Sequence, residues 1–154
     1  YVKDMIKKRM NCDFWGSINK DCLNKKGLIE LFTYLKDNGY KIGICSSSPE
    51  AYVKTLLTDV SIDLPYDVMI CGDKVKEKKP SPEIFLTAAN ILNIKPENIL
   101  VVEDSKNGII AATRANMHHC FIFDTIKPDD ELKDMLEFEK DSMDEIIPLL
   151  ESFK

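Results

Sequence analysis

Apolar positions along this 154-residue chain come in two rhythms: short uninterrupted runs, and longer stretches with helical spacing. Leu28, Leu31, Phe32 and Leu35 follow the i, i+3, i+4, i+7 pattern of one helical face, and Asn38 with Gly39 supplies a left-handed stop. A run at 41–45 then predicts a strand buried on both faces, and 50–57 a helix. A loop over 59–66 leads to a short strand at 67–71, closed by Gly72 and Asp73. Phe85, Ala88, Ala89 and Leu92 share one face of a further helix that ends before Pro96. The run Ile99, Leu100, Val101, Val102 predicts another buried strand, 108–116 a helix, and 119–123 the last core strand. Residues 128–138 predict a surface helix, and Ser142 with Glu145 the cap of a final short one. Strands alternating with helices of this length predict an α/β fold built on a doubly wound parallel sheet.

Composition narrows the partners. A hydrophobic content of 44% suits a soluble α/β domain with a sizeable core. A net charge of -5 gives no broad attraction to nucleic acid or to an anionic membrane, so neither is expected as a partner. All cations except Arg9 and Arg114 are lysine, which makes bidentate arginine clamps scarce. The five cysteines, Cys12, Cys22, Cys45, Cys71 and Cys120, form no Cys-x-x-Cys pair and an odd count, so a reducing cytoplasm is the expected setting. No run is long enough to span a bilayer. His118 and His119 are adjacent and point to opposite faces of any strand, so they would not share a metal.

Three segments carry candidate chemistry. Glu103 and Asp104 stand at the end of an apolar run, which places two carboxylates at the carboxyl edge of a parallel sheet, where α/β proteins bind ligands. Side by side they repel, and a hard divalent ion such as Mg2+ relieves that repulsion; the alternative is an N-cap formed by Asp104 or Ser105. The strand at 41–45 empties into Ser46, Ser47 and Ser48, where hydroxyls and unpaired first-turn amides suit a phosphate. Ser47 with Glu50 also fits a capping box, and Ser48 before Pro49 an N-cap. Between the two strands lies a basic loop, Lys74 to Lys79. Lys74, Lys76 and Lys78 read as solvated, whereas Lys79 abuts Pro80, a stiff junction that would fix a cation beside the carboxylates.

In this order and spacing the three segments resemble motifs II, III and IV of the haloacid dehalogenase (HAD) superfamily, closest to its branch of β-phosphoglucomutases and sugar-phosphate phosphatases. Ser46 matches the motif II hydroxyl, Lys79 the motif III lysine in a Lys-Pro-x-Pro-x-x-Phe setting completed by Phe85, and Glu103 with Asp104 the motif IV acids. Ser105, Gly108, Ile109, Ala111 and Ala112 match the continuation of motif IV, and the likeness runs from about 23 to 144. The resemblance implies a Rossmann-like HAD core over 22–154 and, over 1–21, the tail of a helical cap domain. It also implies a Mg2+-dependent phosphohydrolase of small phosphate esters. Lys79 and Asp104 would be catalytic, Ser46, Ser47 and Lys79 would hold the substrate, and Glu103 and Asp104 the metal.

One departure outweighs the agreements. The superfamily reaction starts from an aspartate in an N-terminal Asp-x-Asp, and no Asp-x-Asp occurs in this chain; Asp124 ends a strand, but Ile126 stands where the second acid belongs. The resemblance implies a nucleophile strand at the centre of the sheet, between those ending at Cys45 and Val102. Unpaired backbone groups there would cost roughly 1 to 3 kcal/mol each. The chain is therefore expected to be a fragment whose missing N-terminal segment is supplied in cis or in trans. A phosphomutase, or a non-catalytic relic that keeps only phosphate and metal contacts, are the alternatives.

Overall fold

The computed structural model describes residues 26–59, 65–123 and 127–154. The expected cap tail over 1–21, Cys12, Cys22 and the strand-end Asp124 lie outside them.

Helix α1 (Leu28–Asp37) buries Leu31 and ends as its spacing predicts, with Asn38 as cap and Gly39 at φ 72°. Strand β1 (Gly43–Ser46) follows, then α2 (Glu50–Asp59), β2 (Val68–Cys71) and α3 (Glu83–Leu92). A 3-10 turn at Pro96–Asn98 leads into β3 (Leu100–Glu103), α4 (Lys106–Arg114) and β4 (His118–Ile122). Helix α5 (Asp130–Met135), strand β5 (Phe138–Lys140), a 3-10 turn at Met143–Glu145 and α6 (Ile146–Glu151) complete the chain.

Every strand pair is parallel. β1 runs beside β2 from Gly43 opposite Val68 to Ser46 opposite Cys71. β3 pairs with β4 from Leu100 opposite His118, and β4 with β5 from Cys120 opposite Phe138. Among the described residues these strands form two sheets, β1–β2 and β3–β4–β5, so β1 and β3 each keep one edge that no described strand pairs.

A shared core holds the two sheets in one body. On one side, Val68 and Ile70 of β2 and Val101 of β3 pack with Ile84, Phe85, Ala88 and Ala89 of α3 and Ala111 and Ala112 of α4. On the other, Leu31 of α1 and Ile146, Leu149 and Leu150 of α6 meet Cys120 and Ile122, with Leu100 and Val102 packed against them. Helices on both faces of parallel strands make this the expected doubly wound α/β architecture. Strand alternation then decides where chemistry can sit: Val101 faces α3 and α4, and Glu103, two residues on, falls on that same side.

Three local expectations are corrected. The helix predicted over 128–138 spans only Asp130–Met135, opened by Asp129, whose carboxylate accepts the Leu132 N–H at 2.7 Å. The chain then extends, and Phe138 joins β4 as a fifth strand while its ring meets Phe153 edge-on at 5.7 Å; pairing and packing outweigh a helical local pattern. The run at 41–45 enters the strand late, because Asp67 caps its start, accepting the Ile42 N–H at 2.8 Å. That strand was expected to be buried on both faces, yet Ile44, Cys45 and Ser46 are half-buried and Gly43 is exposed, as follows from an edge without a described partner.

Gly72 ends β2 where the chain passes under the loop after β1; its N–H donates to the Ser48 carbonyl at 3.0 Å, and a Cβ on it would collide with the Ser47 carbonyl. Backbone cannot swing aside as a flexible side chain would. Gly72→Ala is expected to cost about 2 kcal/mol of unfolding free energy by forced displacement of that loop. Urea denaturation checks this, and an unchanged midpoint would contradict the contact.

Candidate functional site

The carboxyl ends of β1 and β3 are brought together by a lysine on the loop that follows β2. Lys79, at the end of that loop, donates from Nζ to the Cys45 carbonyl of β1 at 3.3 Å and forms an ion pair with Glu103 of β3. The two side chains are only 8% and 10% exposed, so this is a buried pair, and Nζ also lies 4.7 Å from the centre of the Phe85 ring. In such surroundings each charge is tolerable only because the other is present. The Lys79 cation thus bridges two strand ends while lying over the ring of Phe85 from α3.

Glu103 is gripped from its other side too. Ser105 donates its hydroxyl to the carboxylate at 2.9 Å while its Oγ accepts the Gly108 N–H at 3.1 Å, so one hydroxyl caps α4 and orients the acid. Gly108 leaves room for the acid at that point: a Cβ there would run into the Glu103 carboxylate and push it away from this position. The N-cap reading holds for Ser105, and Glu103 is paired with the Lys79 cation. Asp104, next along, is exposed at the strand tip. Consecutive residues at the end of a strand diverge, and the two acids accordingly occupy different environments.

Ser46 closes β1, half-buried, its Oγ accepting the Ser48 N–H at 3.2 Å; Ser47 is exposed beside it. The expected capping box is not formed. The first N–H of α2, on Glu50, donates to Asp73 at 3.1 Å, and the Glu50 carboxylate pairs with Lys54 at 2.5 Å and Lys74 at 3.3 Å. A carboxylate from the loop after β2 replaces the nearby serine hydroxyls, which leaves those hydroxyls at the sheet edge. Nothing local in the sequence signals Asp73 as a cap, since it lies 23 residues away.

The thiol beside the lysine is not activated by it. Burial, more than any neighbouring charge, pushes Cys45 up to about 11, which keeps it protonated at neutral pH despite the nearby cation. Lys74, Lys76 and Lys78 are exposed as expected, and Lys106 reaches away to Glu131 at 2.5 Å and Asp129 at 3.4 Å. Of the residues singled out from sequence, Lys79 and Glu103 are in direct contact, Ser46 ends the strand whose Cys45 carbonyl receives Lys79, and Asp104 adjoins Glu103.

Fold and site together define a doubly wound α/β protein with a lysine–carboxylate centre on the carboxyl edge of its strands. The chain belongs to the haloacid dehalogenase-like hydrolase family, whose model matches residues 3–122. It is 33% identical over 123 residues to a phosphorylated carbohydrates phosphatase from Thermotoga maritima, covering 78% of this chain and 57% of that protein. Among solved structures, it is similar to β-phosphoglucomutase from Clostridium difficile, with a TM-score of 0.70 and 30% identity over 84% of this chain and 54% of that one. CbbY from Rhodobacter sphaeroides, solved in complex with phosphate, superposes with a TM-score of 0.70 at 27% identity, over 79% of this chain and 55% of that one. The chain thus spans little more than half the length of these relatives.

Burial of the pair sets a stability test. Lys79→Met leaves a buried carboxylate without its cation and is expected to cost about 3 kcal/mol, whereas adding Glu103→Gln to it recovers most of the loss. Urea unfolding of the wild type, both single variants and the double variant measures the coupling, and additive single effects would contradict a buried pair.

Proposed function

We propose that this chain carries the phosphate-gripping and metal-holding side chains of a Mg2+-dependent phosphohydrolase acting on a small phosphorylated metabolite, such as a sugar phosphate. The observation that supports it most is the placement of Lys79, a cation fixed between the ends of β1 and β3 and adjoining the serine loop. Phosphoryl oxygens would be held by the Lys79 ammonium, the Ser46 hydroxyl and the backbone at Ser47, all donors with fixed positions before substrate arrives. The ion pair with Glu103 aims the ammonium at the strand ends, and the lysine serves as a hydrogen-bond donor.

The two acids fit a magnesium ion by their chemistry. Glu103 and Asp104 offer hard carboxylate oxygens from adjacent residues, and Mg2+ commonly takes one or two protein carboxylates and fills its remaining positions with water and substrate phosphate. Among the described residues no group of three or more His, Cys, Asp or Glu side chains gathers to hold a metal, so this chain's share would be those two acids. When bound, the ion would neutralise charge on the transferring phosphoryl group.

A nucleophile remains to be supplied. The reading takes it as an aspartate on a strand that pairs with the second edges of β1 and β3, carried in cis or in trans, with 1–21 as cap tail and 22–154 as core. A phosphomutase is the second reading, favoured by the likeness to a β-phosphoglucomutase. Product analysis on hexose phosphates separates the two. A reducing compartment such as the cytoplasm fits the unpaired thiols of Cys45, Cys71 and Cys120, and no helix among the described residues is long and apolar enough to cross a membrane.

In a protein carrying both this chain and that strand, Lys79→Ala is expected to lower turnover of an aryl phosphate by about 10²- to 10³-fold. Asp104→Asn should raise the Mg2+ concentration for half-activation by at least about tenfold. Steady-state assays over a Mg2+ series check both, and wild-type behaviour of either variant would overturn its assigned role.

A further inference from the structure

Lysine has a flexible four-carbon stem, so a fixed ammonium needs a fixed backbone behind it. The start of the loop behind Lys79 is held by the ion pair of Lys74 with Glu50 and by Val75 against the core, but Lys76, Glu77 and Lys78, next to Lys79, face solvent. Two charged groups from outside the loop hold this part. Glu83, the first residue of α3, reaches back with both carboxylate oxygens and accepts the N–H of Lys76 at 2.8 Å and of Glu77 at 2.9 Å. Arg114, in the last turn of α4, donates to the carbonyl of Pro80, the residue after Lys79, at 3.0 Å.

We infer that Glu83 and Arg114 are positioning residues that set the place of the Lys79 ammonium, with α4 acting as a strut between the two halves of the buried ion pair. At its start, α4 holds Glu103 through the Ser105 hydroxyl; at its end, it holds the carbonyl of Pro80, the neighbour of Lys79, through Arg114. The helix has nine residues and spans roughly 13 Å at about 1.5 Å per residue, a length that hydrogen bonding along the axis keeps constant. The fork formed by Glu83 removes the remaining freedom on the other side of Lys79. Its two backbone N–H donors hold the Glu83 carboxyl below the usual glutamate range, as a well-made clasp requires. Neither residue touches Lys79 itself by hydrogen bond, and neither is needed to close a strand or helix of the sheet.

The consequence for catalysis rests on the function proposed above, but the geometry does not, and the experiment separates them. The coupling between Lys79→Met and Glu103→Gln is measured by urea unfolding in the 154-residue chain, in the wild-type, Glu83→Ala and Arg114→Ala backgrounds. Expressed as a ratio of unfolding equilibrium constants, it is expected to fall by about tenfold in each variant background. Arg114→Lys, which keeps one donor for one carbonyl, is expected to restore most of it, and Glu83→Gln, which keeps the size and one acceptor oxygen, to fall between. Undiminished coupling in both alanine backgrounds overturns the positioning role, whatever the protein does to a phosphate ester. Diminished coupling upholds it; where the wild-type protein joined to its nucleophile strand also fails to turn over an aryl phosphate, the function proposed above is overturned and the strut stands.

Discussion

A lysine buried against a glutamate is an awkward thing to build, and the way this chain builds it explains much of the rest. Either charge alone in so little water would cost several kcal/mol, and the mutual attraction repays that only when geometry is good and the remaining lone pairs and protons are satisfied. The structure meets each condition with a separate device. Cys45 offers a backbone carbonyl to the ammonium, Ser105 offers a hydroxyl to the carboxylate, and Gly108 withholds the atom that would push the acid away. Those devices come from β1 and from the turn that leads β3 into α4, so together with the Lys79 loop a single ion pair draws three stretches of chain to one place.

The same pair also connects two sheets that share no strand pairing among the described residues. Apolar packing of α3 and α4 under both sheets does most of that work, since Val68, Ile70 and Val101 all sink into one cluster with the helix faces. Packing alone is permissive about small slides, however, because apolar contacts have no direction. The hydrogen bond from Lys79 to a β1 carbonyl and its ion pair with the last residue of β3 are directional, and they fix the strand ends relative to each other.

Sequence was a good guide where local pattern and tertiary role agree. The helical face through Leu31, the run ending at Val102, and the junction of Lys79 with Pro80 each carry a physical signal within a few residues, and each lies where that signal puts it. Legibility failed where a partner far along the chain decided the outcome. Asp73 took the capping duty that Ser47 and Glu50 suggest, across 23 residues. Phe138 left a helix-like stretch for a strand because β4 offered an open edge. Glu83 and Arg114 gave no sign of reaching the lysine loop, since hydrogen bonds to backbone carbonyls and amides leave no trace in side-chain pattern.

The acidic doublet shows how far a pattern can be right in place and incomplete in role. Two adjacent carboxylates invite a single explanation, one cation shared by both. Yet adjacent residues at a strand end diverge, and here the parity is set by the core: Val101 must face α3 and α4, so Glu103 faces them as well and meets Lys79. Asp104 is left exposed at the tip. A residue in the position of Glu103 is constrained by the fold on both carboxylate oxygens, through Lys79 and Ser105. The pair is therefore better understood as a buried acid that fixes a cation of the protein, next to an exposed acid at the strand tip.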